Sequence, residues 1–484
     1  MRMQFTPPTS LNRKHKSATH PSRHRSNTSS ALSLILMSPV RVVEVSYVSV
    51  PANAAQPPEA LLKLNAMEAQ WLVLPLLQYI LFFDGDQLPP FDAVVQSLRR
   101  SLAATLATFA PLAGKLVHLA ESGDVAIRCS ASDDVKFVVA ESDADVRRLA
   151  GGEEHHDVQA LERLVPEVEM GELPAPLLAV QATRLGGGGV AVGITVHHGV
   201  ADGRSLWRFV AAWAAACRGD DAPPGPPPCF DRSRVKLPCG DELARSVLRK
   251  YSPNLPVVTT PSLLEEGRLQ FIRWTFTMDA HHIERLRQRI VRLGEAHGSP
   301  AACRPPSSFV AVVALAWTCY ARCRSVPGDE DVFAFFFADV RDRLHPPAGA
   351  EYVGACLSGC LATLPARELH GERALAAAAA AAAAQAAIRE RMEDPAGGWE
   401  FLRLPDVVPM DRFMNVSGSS RFRAYEAGDF GWGRPRRTVP VRMNQDGQVA
   451  LLRARDGEGV QVSVSVLQRA HMDAFRSQFL ELIG

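Results

Sequence analysis

The spacing of apolar positions changes along the chain, and each spacing predicts an element. From Val190 to Val196 every residue is apolar, small or β-branched, which predicts a strand buried on at least one face. Leu206, Phe209, Val210 and Trp213 then recur at i, i+3, i+4 and i+7, the stripe of a helix packed on a core. An apolar segment, LLAVQATRL, lies before the strand, so Gly186 to Gly189 between the two read as a hairpin turn. A phosphate cradle would instead need a strand, then glycines, then a helix. Further on, FIRWTFTM predicts a strand and DAHHIERLRQRIVRLGEAHG a helix capped by Asp279. SSFVAVVALAWTCYARC predicts a buried helix. The alanine run 376–384 extends a helix by propensity alone. Thr438–Met443, Val449–Arg453 and Val460–Val466 predict late strands, and RAHMDAFRSQFLELI a closing helix.

Strands and helices alternate in both halves, which argues for α/β layers. With 484 residues, 47% of them hydrophobic, the chain can bury two cores. RGDDAPPGPPPCFDR carries five prolines and no periodicity, the composition of a stiff linker, and YSPNLPVVTTPS is a second irregular stretch. The expected division is a basic extension 1–36, a first domain 37–217, a linker 218–265 and a second domain 266–484.

Charge changes this picture only at the front. The whole chain is at +1, which leaves no electrostatic footprint for nucleic acid. Residues 1–36 hold six basic residues and no acid, so the remainder is net acidic. That front segment is Ser-, Thr-, Arg- and Pro-rich without an apolar period. It is expected to be disordered, either a transit-like segment or a dispensable extension. The longest apolar runs, WLVLPLLQYILFF and FVAVVALAWTCYA, are too short to span a bilayer and read as core. Nine cysteines without a CxxC pair suggest buried free thiols rather than disulfides or zinc. His155, His156 and Asp157 read as solvated residues, not a metal site. A cytoplasmic, monomeric protein with no membrane segment is the expectation.

The candidate chemistry lies in VGITVHHGVADGRSLW. His198 falls where the strand ends and Asp202 where the helix begins. Asp202 is a favoured N-cap, and a strand-end histidine is often only structural. Equally, a neutral imidazole with an ordinary pKa of roughly 6.5 can take a proton near pH 7. Gly199 and Gly203 bracket the turn and would let it bend sharply.

HHGVADG resembles the HxxxD motif of the superfamily that includes chloramphenicol acetyltransferase, condensation domains and the plant BAHD acyltransferases. A second block, Asp429-Phe430-Gly431-Trp432-Gly433, resembles the second BAHD signature in type and order. A kinase reading of its DFG fails, because no Gly-rich loop, strand lysine or HRD-type loop precedes it. QYILFF, FAPLAGKL, SSFVAVVALAW, ADVRDRLHPP and EYVGACLSG also resemble BAHD segments, so the likeness runs from about Val40 to the C-terminus. It is greatest for the branch that acylates anthocyanins and phenolic glucosides, often from malonyl-CoA.

The resemblance implies two chloramphenicol-acetyltransferase-like α/β domains of mixed sheet and helices, with a channel between them. It implies no bound cofactor, acyl-CoA as co-substrate and a phenolic glucoside as acceptor. His198 would be the general base. Asp202 would turn away from the reacting centre towards an arginine, with Arg341 in DVRDR as the partner. Ser419, in NVSGSSRF, is the oxyanion candidate. Ser307 and Ser308 resemble positions near the CoA phosphates. The DFGWG block would be structural, shaping the channel and domain packing. Malonyl transferases of this kind place an arginine in the hairpin before the histidine strand; here Arg184 is the nearest basic residue. The alternatives are a hydroxycinnamoyl- or acetyl-CoA-dependent transferase of the same family, a silent relative that binds acyl-CoA or a partner, and a condensation domain. The last does not account for DFGWG and would sit beside carrier domains.

Overall fold

The computed structural model describes residues 39–484 apart from 53, 55–60, 152–155, 222–223, 262–266, 297–304, 388–408 and 444. The basic extension, His155 and parts of the proline-rich linker lie outside the described residues.

Two six-stranded mixed sheets carry the chain. In the first, the spatial order is Arg41–Ser49, Asp134–Asp145, Leu178–Gly186, Val190–Val196, Leu77–Phe83 and Arg437–Pro440. Only Asp134–Asp145 and Leu178–Gly186 run parallel. In the second the order is Ile272–Met278, Val460–Val466, Gln448–Arg453, Phe413–Gly418, Asp331–Asp339 and Leu357–Pro365. There Phe413–Gly418 is parallel to both neighbours. A four-stranded sheet is attached to the first. Every residue of Val190–Val196 is buried, as expected of a strand with neighbours on both sides. Gly187 and Gly188 close the predicted hairpin with φ of +74° and +79°.

The helices follow the apolar spacing. Gly203–Arg218 buries Leu206, Phe209, Val210 and Trp213, and the Trp213 indole N–H bonds Leu98 O and Ser101 Oγ, both at 3.1 Å, on the helix Phe91–Phe109. Ala280–Glu295 is capped by Asp279, which accepts from His282 N at 2.7 Å. Ser308–Cys323 is buried along nearly its whole length. Among the described residues no helix is long and apolar enough to cross a membrane.

Arg437–Pro440, late in the chain, pairs antiparallel with Leu77–Phe83 and completes the first sheet. Three expectations change. The strand stops at Pro440 rather than Met443, because Val441 O and Met443 O turn to accept from buried Arg273 at 2.5 and 3.2 Å. His156 is buried rather than solvated, its ring 2.8 Å from Thr275 Oγ1 on a strand of the second sheet. The described cysteines are free, but Cys239 is exposed, so burial is not general among them.

Candidate active site

The turn that presents His198 is built where the sheet runs out. Leu77 and Leu178 both pair with Val196, the last residue of the histidine strand. His197 N bonds Leu177 O at 2.8 Å, and its ring folds back, Nδ1 accepting from Gly199 N at 3.1 Å. Burial, with His198 adjacent, pushes His197 down to about 3, so it stays neutral.

His198 is half-buried. One face lies flat on Trp71, with ring centroids 3.9 Å apart and planes 8° apart. Trp71 in turn packs on Phe337, and Phe337 on Phe335. His198 Nδ1 is enclosed, with no hydrogen-bond partner on another residue, which leaves Nε2 on the accessible edge. Burial pushes its pKa down to about 4, against smaller upward pulls from a hydrogen bond to its own backbone and, less, from Asp202. The ring is therefore a neutral imidazole at pH 7 with one nitrogen open.

Asp202 points the other way. One oxygen caps the helix, accepting from Ser205 N at 2.9 Å; the other accepts from Arg341 Nη1 at 2.7 Å and Cys356 N at 3.3 Å. The cap and the ion-pair readings thus coexist in one carboxylate. Burial opposes its charge, but Arg341 and the two N–H groups outweigh that and hold its pKa below the ordinary value. Arg341, fully buried, also bonds Gly354 O at 2.8 Å and Ser205 Oγ at 3.2 Å. The turn from the first half is thereby fastened to the second. Neither Gly199 nor Gly203 is left-handed. Gly203 answers to close approach instead, since a Cβ there would lie 2.6 Å from the Phe422 ring.

The remaining candidates divide by location. Ser419 follows Phe413–Gly418 in the loop that brings Phe422 onto Gly203, and its hydroxyl accepts from Arg421 N at 3.1 Å. Ser307 Oγ caps Ser308–Cys323, accepting from Val310 N at 3.2 Å, and Ser308 opens that helix. Arg184 is not brought to the site. It pairs with Val190 at the far end of the strand, about 20 Å at the ordinary rise per residue from Val196, the end that His198 follows, and is ion-paired with Glu141. In the DFGWG block, Phe430 meets Trp213 edge-on at 4.9 Å, and Trp432 meets Phe83 at 5.4 Å. Asp429 Oδ1 accepts from Gly431 N at 3.0 Å and its carbonyl from Arg218. Gly431 and Gly433 have φ of +100° and +82°. The block thus packs the C-terminal end of the histidine helix against Leu77–Phe83.

Sequence reasoning missed Trp71 and the buried group below it, Glu68, Arg232 and Tyr352. The one available signal was an acid, Glu68, set within the apolar stretch NAMEAQWLVL.

The Transferase family model matches residues 43–482. Phenolic glucoside malonyltransferase 1 of Arabidopsis thaliana is 30% identical over 90% of this chain and 96% of its own length. Malonyl-CoA:anthocyanidin 5-O-glucoside-6''-O-malonyltransferase of the same plant is 29% identical over 91% and 98%. Among solved structures, vinorine synthase superposes with a TM-score of 0.68 at 21% identity, covering 92% of this chain and 98% of that one.

Proposed function

Since the chain belongs to the Transferase family and is a BAHD-type acyltransferase, we propose that it moves an acyl group, malonyl foremost, from CoA to a hydroxyl of a phenolic glucoside, with His198 as general base. The observation that carries the reading is the open Nε2 of a neutral imidazole whose other nitrogen and one face are enclosed. An alcohol is almost wholly protonated at pH 7, so a base within about 3 Å is needed as the C–O bond forms. His198 Nε2 takes the hydroxyl proton while the oxygen attacks the thioester carbon. The C–S bond then breaks, and the leaving thiolate recovers that proton as CoA thiol. No acyl-enzyme is needed. Asp202 holds the turn through Arg341 and takes no proton. The acyl-CoA co-substrate and the glucoside acceptor are supported by the names of the two malonyl-transferring relatives. A monomer suffices, since one chain supplies both sides of the site, and the cytoplasm is the proposed compartment.

A hydroxycinnamoyl donor is the second reading. Trp71, Phe337 and Phe335 form an aromatic wall beside His198, and Arg184 lies too far away to meet a malonyl carboxylate. Purified protein given malonyl-, acetyl- and coumaroyl-CoA with a set of phenolic glucosides decides between them by product mass. Absence of any acylated product and of acceptor-dependent CoA release would reject both.

A further inference from the structure

The polar group beneath Trp71 holds a fully buried carboxylate. Glu68 accepts from Asn65 N at 3.2 Å and from the Tyr352 hydroxyl at 3.0 Å, and its Oε1 lies 3.2 Å from Arg232 Nη2. Arg232 also bonds Phe230 O and Val353 O at 3.1 and 2.9 Å. The Tyr352 ring lies 5.7 Å from the guanidinium carbons of both Arg232 and Arg341, so the two buried ion pairs share one aromatic neighbour. They also meet at Gly354. A Cβ there would fall 2.3 Å from Glu68 Oε1, while its carbonyl accepts from Arg341 and Ser205.

A buried ion pair adds little net stability, because removing both charges from water costs about what their attraction returns. What this one secures is geometry. Ala66–Ala69 is a single helical turn, and a first turn is unfavourable by itself. It stands because Asn65 and Glu68 cap each other, and Trp71 N then bonds Glu68 O at 3.0 Å. The placement of Trp71 thus follows from that of the Glu68 side chain.

We propose that the Glu68–Arg232 pair, locked by Tyr352, is a positioning device for acyl transfer: it fixes Trp71 on the face of His198 and so sets the direction in which Nε2 is presented. This rests on the reading of His198 as the base. Glu68 and Arg232 are positioning residues; neither touches a reacting atom.

The test is a kinetic cycle in the full-length chain. Glu68→Gln keeps the size and loses the charge. It is expected to lower kcat by about tenfold or more with KM for acyl-CoA within about twofold, the pattern of an interaction felt only in the transition state. In a Trp71→Ala background the same change should have no further effect, because the two act through one ring. Unchanged kcat in Glu68→Gln, or losses that multiply in the double variant, would overturn the proposal. If Glu68→Gln does not fold, Tyr352→Phe, which removes one hydroxyl, carries the cycle with the same two outcomes. His198→Ala separates the levels. Wild-type turnover there rejects the base itself, whereas an inactive His198→Ala with an additive cycle rejects only the positioning role.

Discussion

Trp71 and His198 lie face to face, 3.9 Å between ring centroids, although one stands before the first sheet strand of the site and the other at the end of the last. The stack closes one side of the imidazole to water. It makes the histidine a weaker base in equilibrium but keeps it unprotonated over a wider range of pH.

That range is measurable. With a pKa near 4, below the ordinary value of about 6.5, the base form persists as pH falls and is lost only on approaching 4. The acid limb of kcat/KM is expected well below 6.5, and Trp71→Ala should move it upward as the ring is uncovered. A limb at 6.5 or above in the unmutated enzyme would show that the ring is solvated before substrate binds.

His198→Ala is expected to fold with an unchanged Tm and lose at least about 10²-fold in turnover, the low end for a general base. Turnover near wild type in the folded variant would remove His198 from the mechanism.

For Asp202, the two functions of the carboxylate separate by substitution. Asp202→Asn keeps an acceptor for Ser205 N and weakens the Arg341 pair; Asp202→Ala loses both. The alanine variant should be less stable than the asparagine one by about 1 kcal/mol, the usual worth of an N-cap. Both should fall below wild type by a larger margin, because Arg341 loses its buried counter-charge and keeps only the part-exposed Asp339 at 3.1 Å. Equal melting temperatures for the two variants would mean that the cap contributes nothing. The wild-type contribution is present above the ordinary carboxylate pKa and lost as pH falls through the lowered folded value.

Arg184→Ala should change neither malonyl-CoA nor acetyl-CoA kinetics by more than about twofold, since an exposed ion pair is worth about 0–1 kcal/mol and Arg184 stands at the wrong end of its strand. A loss confined to malonyl-CoA would bring the residue back into donor recognition.

Phe430→Ala removes the ring that joins Trp213 to Phe83, and a buried phenylalanine truncated in this way costs about 3–5 kcal/mol. The expected result is a lower Tm with near-normal kcat for the fraction still folded at low temperature. A normal Tm with lost activity would give the block a direct part in the reaction.

Much of the scaffold was legible because its signals are local. Val190–Val196, the cap of Asp279 on its helix and the closing helix Arg469–Ile483 each follow from spacing within a few residues. Asp202 was readable as a cap for the same reason, while its link to Arg341 came from family resemblance. What stayed hidden depends on topology. Tyr352 and Glu68 are 284 positions apart, and no apolar period records that they meet. His156 looked solvated because its neighbours in sequence are charged, yet its neighbour in space is Thr275 on a strand of the second sheet. Arg184 looked well placed because a hairpin is near the strand in sequence, but the histidine leaves from the strand's opposite end.

The late strand Arg437–Pro440 bears on how the protein is made. Leu77–Phe83, buried over nearly its whole length, has Val190–Val196 on one side early in synthesis and gains its other neighbour only when the ribosome has passed residue 440. Until then the first sheet keeps an unpaired apolar edge, the kind of surface that recruits other chains. A fragment ending before that strand is expected to expose this edge and associate with other chains rather than stand as an independent half.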